Sequence, residues 1–297
     1  MSLPPPAPDQ AYCDVSALDT GHIKMLLGQL VDTAKSDEFT ELPVLSFLLR
    51  HSNGTALVFD LGIRPDLENL PSYLHSFMAR MGMQVEGRDI GVALSQGGLD
   101  PAFIKHIIIS HVHFDHTGAP SVFPNATFHL GGDSASLVAA LKTNTEETFS
   151  AIEVPPERTR YLPTPEESPE AWAPLGPFPR AHDLLGDGSV YVVDSPGHVA
   201  GHITLLARTS PDGAWAFFAG DSAHDWRLIT GEAQMGHHPV FGCMHLDEAA
   251  SRANIERIRA LSEMPRVRVL LAHDTPWFAK EKESGMKSFW PGKIASL

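Results

Sequence analysis

Residues 111–116 read His-Val-His-Phe-Asp-His, which puts three imidazoles and one carboxylate into six positions. Imidazole and carboxylate are ligands that first-row transition metals favour, and a run this dense points to metal binding. The residues just before it, Ile107-Ile108-Ile109-Ser110, form a β-branched run that predicts a buried strand. The cluster therefore falls where a strand gives way to a loop, with Gly118 and Pro120 closing the turn. A surface loop that is merely rich in histidine would need no strand to aim it and no partners elsewhere.

Partners are found by asking which other apolar runs end in a potential ligand. Val190-Tyr191-Val192-Val193 leads through Asp194-Ser195-Pro196-Gly197 to His198. Trp215 to Gly220 delivers Asp221, and Val267 to Ala272 delivers His273. Each run has the length and composition of a buried strand with a metal-capable group at its carboxyl end. Alone, any of these three would serve as a helix cap, a turn residue or a core histidine. Their recurrence at strand ends argues for ligands. With His111, His113, Asp115 and His116 they make seven, too many for one tetrahedral zinc and about right for two metals sharing a carboxylate.

The ordered motifs HVHFDH, SPGHVAGH, FAGDS and LLAHD resemble the metallo-β-lactamase superfamily, with every ligand position filled. Roughly residues 15 to 280 take part in the resemblance. It implies an α/β protein, an αββα sandwich of two mixed β-sheets flanked by helices, with a dinuclear site along one edge. Within the superfamily, LPVLSFLLRHSNGTALVFDLG, SHVHFDHTGA and the stretch after SPGH are most similar to the N-acyl homoserine lactonase branch. By this resemblance His111, His113 and His198 hold one metal, Asp115, His116 and His273 hold the other, and Asp221 bridges. The implied cofactor is two zinc ions, with iron or manganese as alternatives. A zinc β-lactamase would vary the position of Asp221, and a flavodiiron oxidoreductase would carry a carboxylate in place of His113. Members of the lactonase branch often place, three residues after the bridging Asp, a Tyr that donates to the substrate carbonyl. This chain has His224 there, either a donor in the same role or a plain histidine after a strand.

Two ions about 3.5–4 Å apart can share a hydroxide that is ionised near neutral pH, and that hydroxide attacks a carbonyl carbon. Asp115, bound through one oxygen, would pass the proton to the leaving group. No protein nucleophile is required. Gly220-Asp221-Ser222-Ala223-His224 lacks the last glycine of a G-x-S-x-G elbow, which leaves Ser222 a structural residue. The expected reaction is the opening of a small cyclic ester, a lactone. Lactam opening is the second reading and thioester hydrolysis the third. From a different class, an iron-dependent oxidoreductase on the same fold stays open, because His and carboxylate also suit iron.

A chain of 297 residues, 43% hydrophobic and 20% charged, can bury one large core. Its net charge of −14 argues against nucleic acid or an anionic membrane as partner. The expected partner is a small-molecule lactone or lactam, with the chain a monomer or homodimer. Cys13 and Cys243 are expected as two thiols in a reducing compartment. The first residues lack the basic and apolar regions of a signal peptide, so a cytoplasmic location is expected.

Residues 1–11 are Pro-rich and read as a flexible segment ahead of a single domain over 12–297. Val44–Arg50 and Thr55–Asp60 flank Asn53-Gly54 and predict a hairpin. Helical patterning covers 66–82, 134–142 and 247–261, the last with Asp247 as N-cap. Between Glu153 and Asp183 eight prolines predict a long loop, read as a wall near the pocket with Tyr161, Trp172 and Phe178 facing substrate, or else as a loop packed on the core. Trp226, His237, His238, Phe241 and Met244 are further pocket candidates. The tail with Met286, Phe289 and Trp290 either wraps the domain or makes a dimer contact.

Overall fold

A computed structural model of the chain describes residues 2–144, 146 and 148–297. Seven strands form the first sheet: β1 (Cys13–Leu26), β2 (Phe39–His51), β3 (Ala56–Phe59), β4 (Gln84–Gly87), β5 (Ile104–Ile108), β6 (Thr127–Leu130) and β7 (Thr159–Tyr161). Their order is β4-β1-β2-β3-β5-β6-β7. β2 and β3 are the expected hairpin, closed by His51 N–H donating to the Thr55 carbonyl at 2.8 Å. From β3 onward the pairing is parallel. Parallel neighbours need crossovers, and here they carry α1 (Ser72–Arg80), α2 (Ile90–Gln96), α3 (Phe114–Thr117) and α4 (Ser134–Leu141). The helix expected over 66–82 starts only at Ser72. Pro71 forces Leu70 into an extended backbone, so the preceding Leu67–Asn69 makes a separate tight turn.

The second sheet contains β8 (Ala173–Leu175), β9 (Phe178–Asp183), β10 (Val190–Asp194), β11 (Ile203–Arg208) and β12 (Trp215–Phe218). A separate short ladder pairs β13 (His237–His238) with β14 (Gly242–Cys243). α5 (Trp226–Thr230) and α6 (Glu248–Ser262) then lead to β15 (Val267–Leu270), which joins β12 in parallel, and α7 (Thr275–Ser284) follows. The sheet order is β15-β12-β11-β10-β9-β8.

β3 is apolar on both faces because both are covered, and β5 becomes so at its carboxyl end, Ile107 and Ile108. Leu57, Phe59 and Ile108 join the core between the sheets, where Phe218 lies 4.6 Å from Phe47 and 6.0 Å from Phe59 between ring centroids. Val58 and Ile107 instead share a cluster with Ile90 and Leu94 of α2. Burying one such side chain contributes about 1.5–3 kcal/mol. On the outer side of the second sheet, Ile255, Ile258 and Leu261 recur on one face of α6 and cluster with Leu206 and Phe217. Asp247 caps this helix as expected, accepting from Ala250 N–H at 2.9 Å and contributing about 1 kcal/mol.

The Pro-rich segment corrects an expectation. It supplies strands to both sheets: β7 is an edge of the first, β8 is an edge of the second where proline is tolerated, and β9 lies between β8 and β10. Phe178 stacks on Phe217 at 5.1 Å, Trp172 donates its ring N–H to the Pro163 carbonyl, and Tyr161 faces solvent. The wall of the pocket comes from elsewhere. The carboxyl-terminal tail wraps: Trp290 N–H donates to Ala17 O, its ring N–H to Leu94 O, and Phe289 enters the inter-sheet core. Ahead of β1, Arg208 donates to the Pro4 and Pro5 carbonyls. Cys13 and Cys243 are both free thiols. Among the described residues, no helix is long and apolar enough to cross a membrane.

Candidate metal centre

Five strand ends of the two sheets meet along one edge. β3 runs into Asp60, β5 into Ser110 and His111, β10 through a turn into His198, β12 into Asp221 and β15 into His273. Backbone bonds tie these ends together: Asp60 N–H to Ile108 O, Ile203 N–H to Ser110 O, Ala219 N–H to Leu270 O and Leu45 N–H to Ala272 O, all 2.9–3.0 Å. Gly220 makes the turn into Asp221 at φ +50°, where a Cβ would sit 3.0 Å from the His202 ring and 3.1 Å from the Ser110 side chain. A larger residue would be both strained and crowded there. After His111 the chain bends through His113 into α3, whose single turn carries Asp115 and His116 on consecutive positions.

All seven predicted ligands converge as two overlapping groups. His111, His113, His198 and Asp221 form one, and Asp115, His116, His273 and Asp221 the other, with ligand atoms in each within 4.8 Å of one another. Asp221 faces both. Its Oδ2 lies 3.7 Å from His111 Nε2 and 3.5 Å from His198 Nε2. Its Oδ1 lies 3.2 Å from His116 Nε2 and 3.4 Å from His273 Nε2. Asp115 Oδ2 completes the second group at 3.4 Å from His273 Nε2 and 3.7 Å from His116 Nε2.

The rear nitrogens are already committed, which sets the tautomers. Ser110 Oγ donates to Asp60 Oδ2 at 2.8 Å, so its oxygen accepts from His111 Nδ1 at 3.0 Å. His116 Nδ1 donates to the same carboxylate at 2.8 Å, and His273 Nδ1 donates to the Pro43 carbonyl at 2.9 Å. Each ring therefore presents Nε2 to the centre. His111 Nε2, His116 Nε2 and Asp221 Oδ1 are buried and have no hydrogen-bond partner among the described residues. His113 Nδ1 and His198 Nε2 face each other at 3.1 Å, two nitrogens that need a proton or a cation between them. Tetrahedral ligands 2.0–2.2 Å from an ion lie about 3.3–3.6 Å apart, close to the spacings here, so the donor set fits two divalent cations.

The two groups differ in charge. Burial and neighbouring imidazoles hold His111 and His198 well below the usual histidine range, and burial takes His113 down to about 4. In the second group burial also opposes charge, but Asp221, Asp115 and Asp60 outweigh it and push His116 well up, and Asp221 and Asp115 take His273 up to about 10. The first group is a set of neutral lone-pair donors, and the second is balanced internally by its carboxylates.

His224 is buried in the same recess, its Nε2 at 3.2 Å from Asp221 Oδ2. Three supporting residues escape a reading of the sequence. Asp60 holds Ser110 and His116 from a left-handed φ of +59°, and its place after the run Ala56–Phe59 matches that of Asp221 after its own strand. His202 accepts from Asp221 N–H and donates to the Ser195 carbonyl, so it orients Asp221, and it lies four residues beyond His198. His245 is buried with neither ring nitrogen partnered among the described residues, 5.1 Å from His198 and 4.9 Å from His224 between centroids. It follows only the two-residue strand β14, and no apolar run in its sequence neighbourhood marks it.

The recess opens past His113, Phe149 and Met244 into a groove of about 620 Å³ that also touches Phe77, Phe241 and Leu246. Of the earlier pocket candidates, Phe241 and Met244 line this groove. Trp226 instead donates to Asp274, and His237 pairs with Glu248 at the surface.

Fold and site together define a metal-binding α/β sandwich. The chain belongs to the metallo-beta-lactamase superfamily, whose sequence model matches residues 39–210. It is 30% identical to a cytochrome P450 monooxygenase, mpaDE', of Penicillium brevicompactum over 99% of this chain and 37% of that protein. It is 32% identical to gamma-lactamase FDB1 of Fusarium pseudograminearum over 75% of this chain and 57% of the relative. The chain thus spans between about a third and three fifths of these two proteins. With N-acyl homoserine lactonase AttM of Azorhizobium caulinodans it shares 26% identity over 90% of this chain and 96% of the relative. Among solved structures, an N-acyl homoserine lactone hydrolase with product bound at its catalytic metal centre superposes with a TM-score of 0.67. That match covers 95% of this chain and 99% of the other at 16% identity, and it shows the shared fold.

Proposed function

We propose that this chain is a dinuclear metal-dependent hydrolase that opens a small cyclic ester, a lactone. The observation that carries the reading is the Asp221 carboxylate, one oxygen facing His111 and His198 and the other facing His116 and His273. In this assignment His111, His113 and His198 would hold one ion, Asp115, His116 and His273 would hold the other, and Asp221 would serve both. Zinc suits the imidazole-rich set, and iron or manganese suits it as well. Bound there, two divalent cations lower the pKa of water and polarise an acyl carbonyl.

The protein's own groups do the rest. Asp115, with Oδ2 turned toward the second group, takes the proton of the attacking water and returns it to the leaving oxygen. His224 donates a hydrogen bond to the substrate's developing oxyanion once that oxygen competes with Asp221 for it. Phe149 and Met244 limit water at the mouth of the recess. Lactam opening is the second reading, favoured by the higher identity to a relative named a gamma-lactamase than to one named a lactonase. The test is a panel of lactones, lactams and thioesters assayed with metal-reconstituted protein whose metal content has been measured. Turnover confined to lactams would replace the lactone reading. Redox-active iron without hydrolysis of any member would move the protein to an oxidoreductase.

A further inference from the structure

A second set of potential ligands meets at the surface, outside the seven-residue cluster. His237 and Cys243 are directly opposed on the β13–β14 ladder, and Glu248 is the first helical residue of α6 after its cap Asp247. Opposed residues on an antiparallel ladder project to one side with Cβ atoms about 5 Å apart, which brings the imidazole and the thiol together. One ligand atom from each of the three lies within 4.8 Å of the others. His237 Nε2 is 2.8 Å from Glu248 Oε1, while Arg252 holds Glu248 Oε2 at 2.6 Å and so fixes the plane of the carboxylate. Half-burial raises the Cys243 thiol above its ordinary range, and the His245 N–H, pointing at Sγ at 3.4 Å, opposes that rise only in part.

We propose that His237, Cys243 and Glu248 form a third metal site, taking a borderline-soft divalent ion such as zinc with solvent as the fourth ligand. Sulfur, nitrogen and oxygen in one set suit zinc and argue against calcium or magnesium, which take oxygen alone. A tetrahedral ion places its ligands about 3.3–3.8 Å apart, so the site completes when the ion replaces the direct His237–Glu248 hydrogen bond, that pair opens slightly and Cys243 turns in. Binding releases the Cys243 thiol proton to solvent. Cys243 also lines the groove beside Phe241 and Met244, so an ion here ties β14 to α6 and fixes that wall.

Cobalt(II) titrated into the metal-free full-length chain tests this. The seven His and Asp residues of the dinuclear cluster contain no sulfur, and Cys13 is fully buried between the sheets. A thiolate-to-cobalt charge-transfer band in the near ultraviolet therefore reports the third site alone. The expected result is a saturable band at about one equivalent, absent in Cys243→Ser and Cys243→Ala and weakened at least about tenfold in affinity in His237→Ala. Visible cobalt absorption from the imidazole cluster should persist in all three variants, which separates this result from the fate of the dinuclear reading. No band in the wild type, a band that survives in Cys243→Ser, or one that needs millimolar cobalt and is lost on gel filtration overturns the proposal.

Discussion

The floor of the recess and its wall are built in different ways. His111, Asp221 and His273 each stand three residues past the end of a strand, in backbone that neighbouring strands hold by hydrogen bonds. Their rear atoms are fixed again by Ser110, His202 and Pro43. The wall is made of Phe149, Phe241 and Met244, from segments between regular elements, which hold each other through ring contacts such as Phe77–Phe149 at 4.4 Å and Phe77–Phe241 at 4.8 Å. A doubly anchored floor suits chemistry that depends on sub-ångström placement. A wall on irregular backbone can change side chains without disturbing the sheets. On the proposed function, chemistry falls to the floor and substrate choice to the wall.

The largest effect should come from the residue that belongs to both halves of the floor. Asp221→Ala removes the oxygens facing five imidazoles at once, and kcat/KM is expected to fall at least about a thousandfold, ~4 kcal/mol in the barrier. Metal analysis should show loss from both sites. Activity within about tenfold of wild type would mean that another residue bridges.

Asp60→Asn asks whether anchoring from behind matters as much as contact. Asn tolerates the left-handed backbone of Asp60, so the fold should survive. It places an amide where the carboxylate accepts from Ser110 and His116. Partners of this kind are worth about 10–100-fold in metal affinity, and the loss should be larger in the His116 group, which the carboxylate holds directly, than in the His111 group, which it reaches through Ser110. Equal affinity at both sites in a metal titration would show that the floor needs no such support.

The contrast also explains what can be read from the chain. The seven candidate ligands are legible because a period-breaking His or Asp at the end of an apolar run is rare and recurs here. The sandwich is legible for the same reason, since those runs are its central strands. Asp60 obeys the same rule yet hides, because the run before it reads equally well as one arm of a hairpin. The Pro-rich segment suggests a loop because its strands are three to six residues long and owe their pairing to partners distant in sequence. His245 and Phe149 sit in segments without period, where only tertiary contacts decide which side chain turns inward.

His224 lies where floor meets wall. If it donates to the developing oxyanion, His224→Ala should lower kcat by roughly one to two orders of magnitude with a smaller change in KM, since such a donor acts mainly in the transition state. His224→Tyr should retain more activity on lactones than on lactams. Wild-type kinetics for His224→Ala on every substrate would make the residue part of the wall.

The smallest expected effect tests the wall itself. Phe149 is a poor choice for truncation, because it packs against Phe77, Phe114 and His113, and losing a ring from such a cluster costs about 3–5 kcal/mol in stability. Met244 is only partly buried and borders both the recess and the groove. Shortening it to Ala removes apolar contact with whatever substituent lies in the groove, about 1 kcal/mol or roughly fivefold in KM. Because that contact is the same in ground and transition states, kcat should hold. The effect should grow with the length of an apolar substituent and vanish for a bare ring. Steady-state kinetics on a homologous series of ring substrates reads this directly. A drop in kcat on the unsubstituted ring would mean that Met244 positions the floor, and the division of labour between the two regions would fail.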